Sequence, residues 1–499
     1  MARHRVSVQA LRNFTSILFG FAIGGLNNLI VLPWAFEGDF STWGLARFSA
    51  AWATALGPIL AFGAPSSMNR FKGQCSREET LPQLYGSLAH PGLLLFSVLI
   101  VLPALLFPET AADLLGLQGN QRAAVRPIAL LTGIQTTQVY FVGYLTSRLK
   151  TALATFARET LFKIGYLLLA LGVGYGVVSK PQFLPAFVGL YLVVLAVLIA
   201  QAIANQFRID MRGLRNPSFL RSLRLYAGTM ILGNSAWVIL GQIDIIMVGR
   251  LMATEWVPLF GIATFVAAVT QIPERSMLRL WQPLIAGAMD RNDLEEAWRI
   301  VKLNHRTVLL TAGWILACIT ACLPEIGKLL PEEFQGLGPV IFTIGCFRVL
   351  KGSAAGSGVL IGQSDHYRWL IALNWTMVAL AIPLNLLFIP ETGLGLGLHG
   401  AALATLVAMT ASITFRQWVV WRIWKRFIPD LRSVAILLLL GVPAGLLLVW
   451  APDLHPFLTL LIKSAGLTLW AAGAALVLNL APEAVAFLRN SVQKSAGDH

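Results

Sequence analysis

The chain has 499 residues, 56% of them hydrophobic and only 12% charged, with a mean hydropathy of +0.70. These values exclude a soluble domain, and apolar runs of about 20 residues, the length of a bilayer-spanning helix, recur throughout. A formal net charge of +14 would suggest nucleic acid in a soluble protein. Here Lys and Arg gather in short loops between apolar runs, where the positive-inside rule puts them, so no nucleic-acid partner is expected.

The first apolar run, Leu11 to Pro33, is as long as a spanning helix and lacks a small-residue cleavage site, so it reads as a retained helix and not a signal peptide. About fourteen spans are expected, at 11–34, 42–66, 86–107, 122–147, 151–178, 183–206, 225–250, 256–287, 303–323, 338–361, 368–389, 398–421, 433–451 and 457–480. Alternate loops differ in charge. One set carries Arg70, Lys72, Arg148, Lys150, Arg208, Arg212, Arg221, Arg422 and Arg426, and the other carries acids such as Glu37, Asp39, Glu109, Asp113, Glu333 and Asp453. The basic set, with both termini, is therefore expected inside.

A repeat appears once the spans are numbered. Leu26 to Pro33 in the first span falls opposite Gly241 to Val248 in the seventh, and Leu106 to Thr110 before the fourth falls opposite Leu329 to Glu333 before the tenth. Six spans per copy preserve the sense of entry. The expected fold is thus an all-α polytopic membrane protein, with two six-helix lobes related by a pseudo-twofold axis along the membrane normal plus two C-terminal helices. The expected limits are 1–210 for the N-terminal lobe, 211–426 for the C-terminal lobe, and 427–499 for the last two helices and a cytoplasmic tail.

Charged residues inside the spans carry the functional signal. Arg47, Arg158, Lys163 and Lys463 lie near span ends and can snorkel to the interface. Arg348 lies near the middle of the tenth span with Lys351 one turn along the same face, and neither snorkels cheaply; the small residues from Gly352 to Gly358 let neighbouring helices approach. In the eighth span Gln271, Arg275, Arg279 and Gln282 share one helical face, and cavity lining and anchoring at the inner interface both account for it. Asp244, alone among isoleucines, should face protein or water. It and Arg47 both lie in the outer third of their spans, where a gating ion pair and a purely structural pair are the two readings.

Cysteines at 75, 318, 322 and 346 and the scattered histidines form no ligand set, so no metal or cofactor is expected. The glycine-rich run from Gly393 to Gly400 lies between two spans and not after a strand, which excludes a nucleotide loop.

The run Ile243 to Leu251 followed by Pro258 to Ala263, the run Leu384 to Pro390 followed by Gly400 to Thr405, Gly63 shortly before Met68 to Phe71, and Leu330 to Phe334 together resemble the polysaccharide transporter (O-antigen flippase) family of the multidrug/oligosaccharidyl-lipid/polysaccharide exporter superfamily. The resemblance covers nearly the whole chain. It implies alternating access in the inner membrane of the cell, a cavity lined chiefly by helices one, two, seven and eight, and Arg47, Asp244, Arg275 and Arg279 on or near that cavity. It further implies a lipid-linked oligosaccharide as substrate, membrane lipids as partners, and contact with a polysaccharide polymerase and other assembly proteins. An ion-coupled drug or metabolite antiporter is the rival within the superfamily. A membrane-embedded transferase is disfavoured, because no acid cluster or catalytic loop is present. In a cysteine-free background, thiols placed at Glu109 and Glu333 are expected to react with an impermeant reagent added outside, and thiols at Arg212 and Arg422 are not; reversed labelling would overturn the orientation.

Overall fold

Only a helix satisfies its own backbone within one segment in a bilayer. The computed structural model, which describes residues 19–477 other than 211, 213–215, 330, 331, 451 and 453, is helical at every expected span and has no strand among the described residues. Eight helices are long and apolar enough to cross a membrane, or eleven if each of three bent pairs counts as one span. The protein is a multi-pass all-α membrane protein. It folds as two compact units, Met1–Phe260 and Gly261–His499.

The first unit comprises α1 (Phe19–Ala35), α2 (Ser41–Leu60) and α3 (Ala64–Arg77). Next come α4 (Leu81–Ala89), which runs on through a π-helical stretch to Leu106, and α5 (Pro108–Leu115), turned by 112° at Phe107. The unit continues with α6 (Val125–Ser147), α7 (Phe162–Gly174), α8 (Lys180–Ala204), α9 (Pro217–Leu240) and α10 (Ile243–Leu251). Helix α6 is its axis. Tyr140 and Tyr144 are buried with Tyr85, Leu88 and Leu198, and their hydroxyls donate to the carbonyls of Tyr85 and Asn205, each at 2.8 Å. A buried tyrosine needs such a partner. Close approach to α3 requires Gly143, since a Cβ there would lie 2.7 Å from the Pro65 backbone. Helices α9 and α10, expected to open the second lobe, pack here on α2 and α3: Tyr226 meets Phe71 edge-on and carries the Arg70 guanidinium 4.5 Å above its ring.

Helix α11 (Trp256–Ala268) leads into the second unit, which comprises α12 (Ile272–Asp290), α13 (Leu294–Ala321), α14 (Leu323–Leu329), α15 (Gly338–Ser353), α16 (Ala355–Gly362), α17 (Trp369–Phe388), α18 (Gly397–Trp424), α19 (Leu431–Val449) and α20 (Pro456–Val477). Helix α13 is central. One part of its surface packs with Trp281 and Ile285 of α12 around Trp298 and Val301, and another with Ile436 and Leu440 of α19 around Val308 and Leu309.

Lys463 departs from expectation. It does not snorkel: it is 1% exposed, and its ammonium donates to Glu325 Oε1 at 2.9 Å and to the Ala321 carbonyl at 3.1 Å. The reason is the 59° bend between α13 and α14, which frees the Ala321 carbonyl and turns Glu325 inward. Removing one partner of a buried pair strands the other charge, at about 3–5 kcal/mol. Lys463→Ala is accordingly expected to lower the unfolding temperature of the purified protein sharply, and Lys463→Met with Glu325→Gln to recover most of the loss. Additive losses in the double variant would show that the two residues act separately.

Candidate functional site

Two acids, Asp244 and Glu325, share one local geometry. Helix α9 ends at Leu240, the chain bends by 52°, and Asp244 occupies the first turn of α10. Glu325 occupies the first turn of α14 after its 59° bend, whereas Glu274 follows a tightened turn at Val269–Gln271 inside one continuous helical run from Trp256 to Asp290. First-turn N–H groups lack intrahelical acceptors and the helix dipole is positive there, so a carboxylate is stabilised at these points as it would not be in mid-helix.

The register of their helices sets Asp244 and Arg47 at different levels. The two helices that carry them run antiparallel at close quarters. Gly44 lies against the Thr254 carbonyl, Gly249 against the Phe48 ring, and Ala51 and Ala55 against Ile246. This register sets Asp244 opposite the region of Ala55, about 12 Å along α2 from Arg47 at 1.5 Å per residue. Arg47 donates to Asn28 Oδ1 at 3.0 Å, where α1 widens into a π-turn at Asn27–Val31, and lies 5.9 Å from the Trp43 ring. The far end of α10 is held by Gln121, whose amide donates to the carbonyls of Arg250 (3.3 Å) and Met252 (3.2 Å), and by Gly116 under the Arg250 guanidinium.

In the second unit three of the expected cations, Arg275, Arg348 and Lys351, lie within electrostatic reach of one another. Lys351 Nζ lies 3.8 Å from Glu274 Oε1, and Arg275, Arg348 and Arg416 act electrostatically on the same ammonium. Glu274 is the acid that faces this ammonium. Gly352 makes the approach possible, because a Cβ there would lie 3.1 Å from the Glu274 Cβ. Arg348 is buried at 8% exposure, whereas Arg275 is exposed and donates to Gln271 Oε1 at 3.2 Å. Gln282 is exposed on the same face of α12 as Arg275, away from the core residues Trp281 and Ile285. Arg279 belongs to that helix, and its side chain lies outside the described residues.

The span carrying Lys351 is broken at Ala354, between α15 and α16. Its loosened carbonyls are recaptured by side chains. Arg416 Nη1 donates to the Ala354 carbonyl at 3.3 Å, Ser357 Oγ donates to the same oxygen at 2.6 Å, and His305 Nδ1 meets the Ser353 carbonyl at 3.1 Å. His305 Nε2 reaches Ser433 Oγ at 3.1 Å, and Ser433 in turn donates to the carboxylate of the capping residue Asp430, which also accepts from Arg306. Burial alone would push the Asp430 carboxyl up, but the hydrogen bonds from Arg306 and Ser433 outweigh it and hold the group below its ordinary range. Arg416 and His305 escape a reading by depth: Arg416 falls near the inner end of its span, and His305 near the start of its own.

These features sit on a known fold. The chain superposes on the lipid II flippase MurJ in an inward closed conformation with a TM-score of 0.70 and 15% identity, over 94% of this chain and 99% of that one. It superposes on an inward-facing multidrug resistance MATE family transporter of the MOP superfamily with a TM-score of 0.59 and 17% identity, over 86% and 95%. The Vibrio cholerae MATE transporter VcmN gives 0.57 and 15%, over 83% and 97%. No protein-family model and no curated protein matches the sequence.

The glycine contacts that set the α2–α10 register make a direct forecast. A methyl at position 44 would lie 1.8 Å from the Thr254 carbonyl, whereas one at Gly189 meets nothing within 4 Å. Gly44→Ala should cost about 1–3 kcal/mol of overpacking strain and raise the reactivity of a thiol placed at Thr254. Gly189→Ala should do neither, and equal behaviour of the two variants would refute the register.

Proposed function

We propose that this protein is a flippase that carries a lipid-diphosphate-linked oligosaccharide from the inner to the outer leaflet of the inner membrane by alternating access, for assembly of a cell-envelope polysaccharide. The observation that carries the reading is the gathering of Arg275, Arg348 and Arg416 within electrostatic reach of the Lys351 ammonium, which faces the Glu274 carboxylate at 3.8 Å. Four cations so gathered repel one another in a medium of low dielectric, and a diphosphate would convert that repulsion into binding through charge-assisted hydrogen bonds, bidentate at arginine. The fold shared with a lipid II flippase supports the same reading. The chain is then a transporter and not an enzyme, with both termini in the cytoplasm. Partners among polymerising and assembly proteins follow from that role.

The MATE neighbours keep an ion-coupled antiporter in view. Export of cationic drugs would call for acids where this chain gathers bases.

The test is binding of a lipid-diphosphate-linked sugar to purified protein in nanodiscs, with protein yield measured alongside. Arg275→Ala and Arg416→Ala are each expected to weaken binding by about tenfold or more, the worth of one hydrogen bond to a charged group. Arg275→Lys should lose less. Glu274→Gln should bind more tightly, because the competing carboxylate is gone. Unchanged binding across the alanine variants at normal yield would sink the proposal.

A further inference from the structure

Helix α18 carries a second feature, independent of the cation cluster. Over its last turns one face lines an open groove of about 800 Å³, with Leu406, Thr410, Phe415 and Trp418 along its length. At Trp418 this groove meets a pocket of about 470 Å³ whose walls include His366, Trp369, Arg422 and Lys425. Trp418 is the one residue common to both linings. Three aromatic rings make the junction: Phe415 stacks on Trp418 at 5.7 Å, and Trp369 meets Trp418 edge-on at 6.3 Å and Phe415 at 6.0 Å. Indoles in such a row mark the level of the membrane–water interface.

The two cations are held in place by neutral partners. The Arg422 guanidinium lies 5.9 Å from the Trp418 ring, and the Lys425 ammonium lies 4.6 Å from the Trp421 ring. Lys425 reaches that position by taking a left-handed backbone conformation, φ 55°, at the end of α18. Among the described residues neither has an acidic partner, whereas the adjacent Arg426 is taken up by Glu295. Charge at this end is therefore available to a ligand. The groove has a definite length as well. From Leu406 to Trp418 is twelve residues, about 18 Å of helix, close to the hydrocarbon depth of one leaflet, half of about 30 Å.

We propose that the groove and the pocket together form a binding site for one anionic phospholipid of the leaflet on the Arg422 side. Its phosphate lies against Arg422 and Lys425, with His366 at the rim, and one acyl chain lies along α18 from Trp418 toward Leu406. Both halves of the site are needed. The basic pocket alone would take any phosphate, and the groove alone would take any lipid tail; an apolar channel of one leaflet's depth opening onto unpaired cations selects an acidic headgroup attached to a chain.

The experiment compares a phosphoglycerol lipid, a phosphocholine lipid with the same chains, and soluble glycerol phosphate, each added to the purified full-length protein. Retained lipid is counted by native mass spectrometry and the unfolding temperature is read in parallel. The wild-type protein should retain the phosphoglycerol lipid in preference to the phosphocholine lipid by about thirtyfold, in line with two membrane-surface charges, and glycerol phosphate should have no effect. The pair Arg422→Gln with Lys425→Gln should abolish the preference. Thr410→Trp, which leaves both charges and fills the groove, should reduce retention of both lipids. Equal retention of the two lipids by the wild type, or stabilisation by glycerol phosphate equal to that by the lipid, would overturn the proposal. So would a wild-type dimer that Thr410→Trp dissociates, since the groove would then belong to a second copy.

Discussion

A carboxylate placed in the hydrocarbon of a bilayer must find positive potential nearby, and this chain finds it in its own backbone. Asp244 and Glu325 each stand in the first turn of a helix that begins again after a bend within or beside an apolar run. The breaks that restart these helices expose carbonyls as well as N–H groups, and the freed carbonyls call for donors of their own. Ala321 answers to Lys463 and, at the separate break of α15, Ala354 answers to Arg416. Charged side chains and interrupted helices are thus one arrangement: each supplies what the other lacks.

The same arrangement explains why the cations of the second unit can be so many. A buried arginine bonded to a backbone carbonyl keeps its full charge, because the carbonyl satisfies an N–H without neutralising it. Arg416 on Ala354 is of this kind, and so, in the first unit, is Arg47 on the neutral amide of Asn28. Lys351 and Lys463, by contrast, face the carboxylates of Glu274 and Glu325. A surplus of positive potential is therefore built into the second unit.

Hydropathy made the spans legible, and depth within a span singled out Arg348 and Lys351, which do converge. Pro324 stands at one of the restarts, but Gly241–Gln242 carries no proline, and nothing local distinguishes it from a continuous helix. The levels of Arg47 and Asp244 were hidden for a different reason. Similar depth in two spans says nothing about which residues oppose each other, and that is fixed by Gly44 and Gly249, whose missing side chains let α2 and α10 slide to a register that separates the charges. Arg416 was hidden by its place near the end of a span, where an arginine ordinarily reaches water. Lys463 was misjudged in the same way, because its acid lies in a short helix outside the expected spans.

The buried pair of Lys463 and Glu325 also bears on how the chain is made. A helix bearing a bare lysine leaves the translocon for lipid at a penalty of about 2.5–3.5 kcal/mol, and α20 is the last helix described. Glu325 is synthesised well before it, so α20 can enter the bilayer against a carboxylate already folded into place by the bend at Cys322. Lateral release of the final hairpin is thereby conditional on correct folding of α13 and α14, and a chain misfolded there would leave α20 stranded and exposed to quality-control proteolysis.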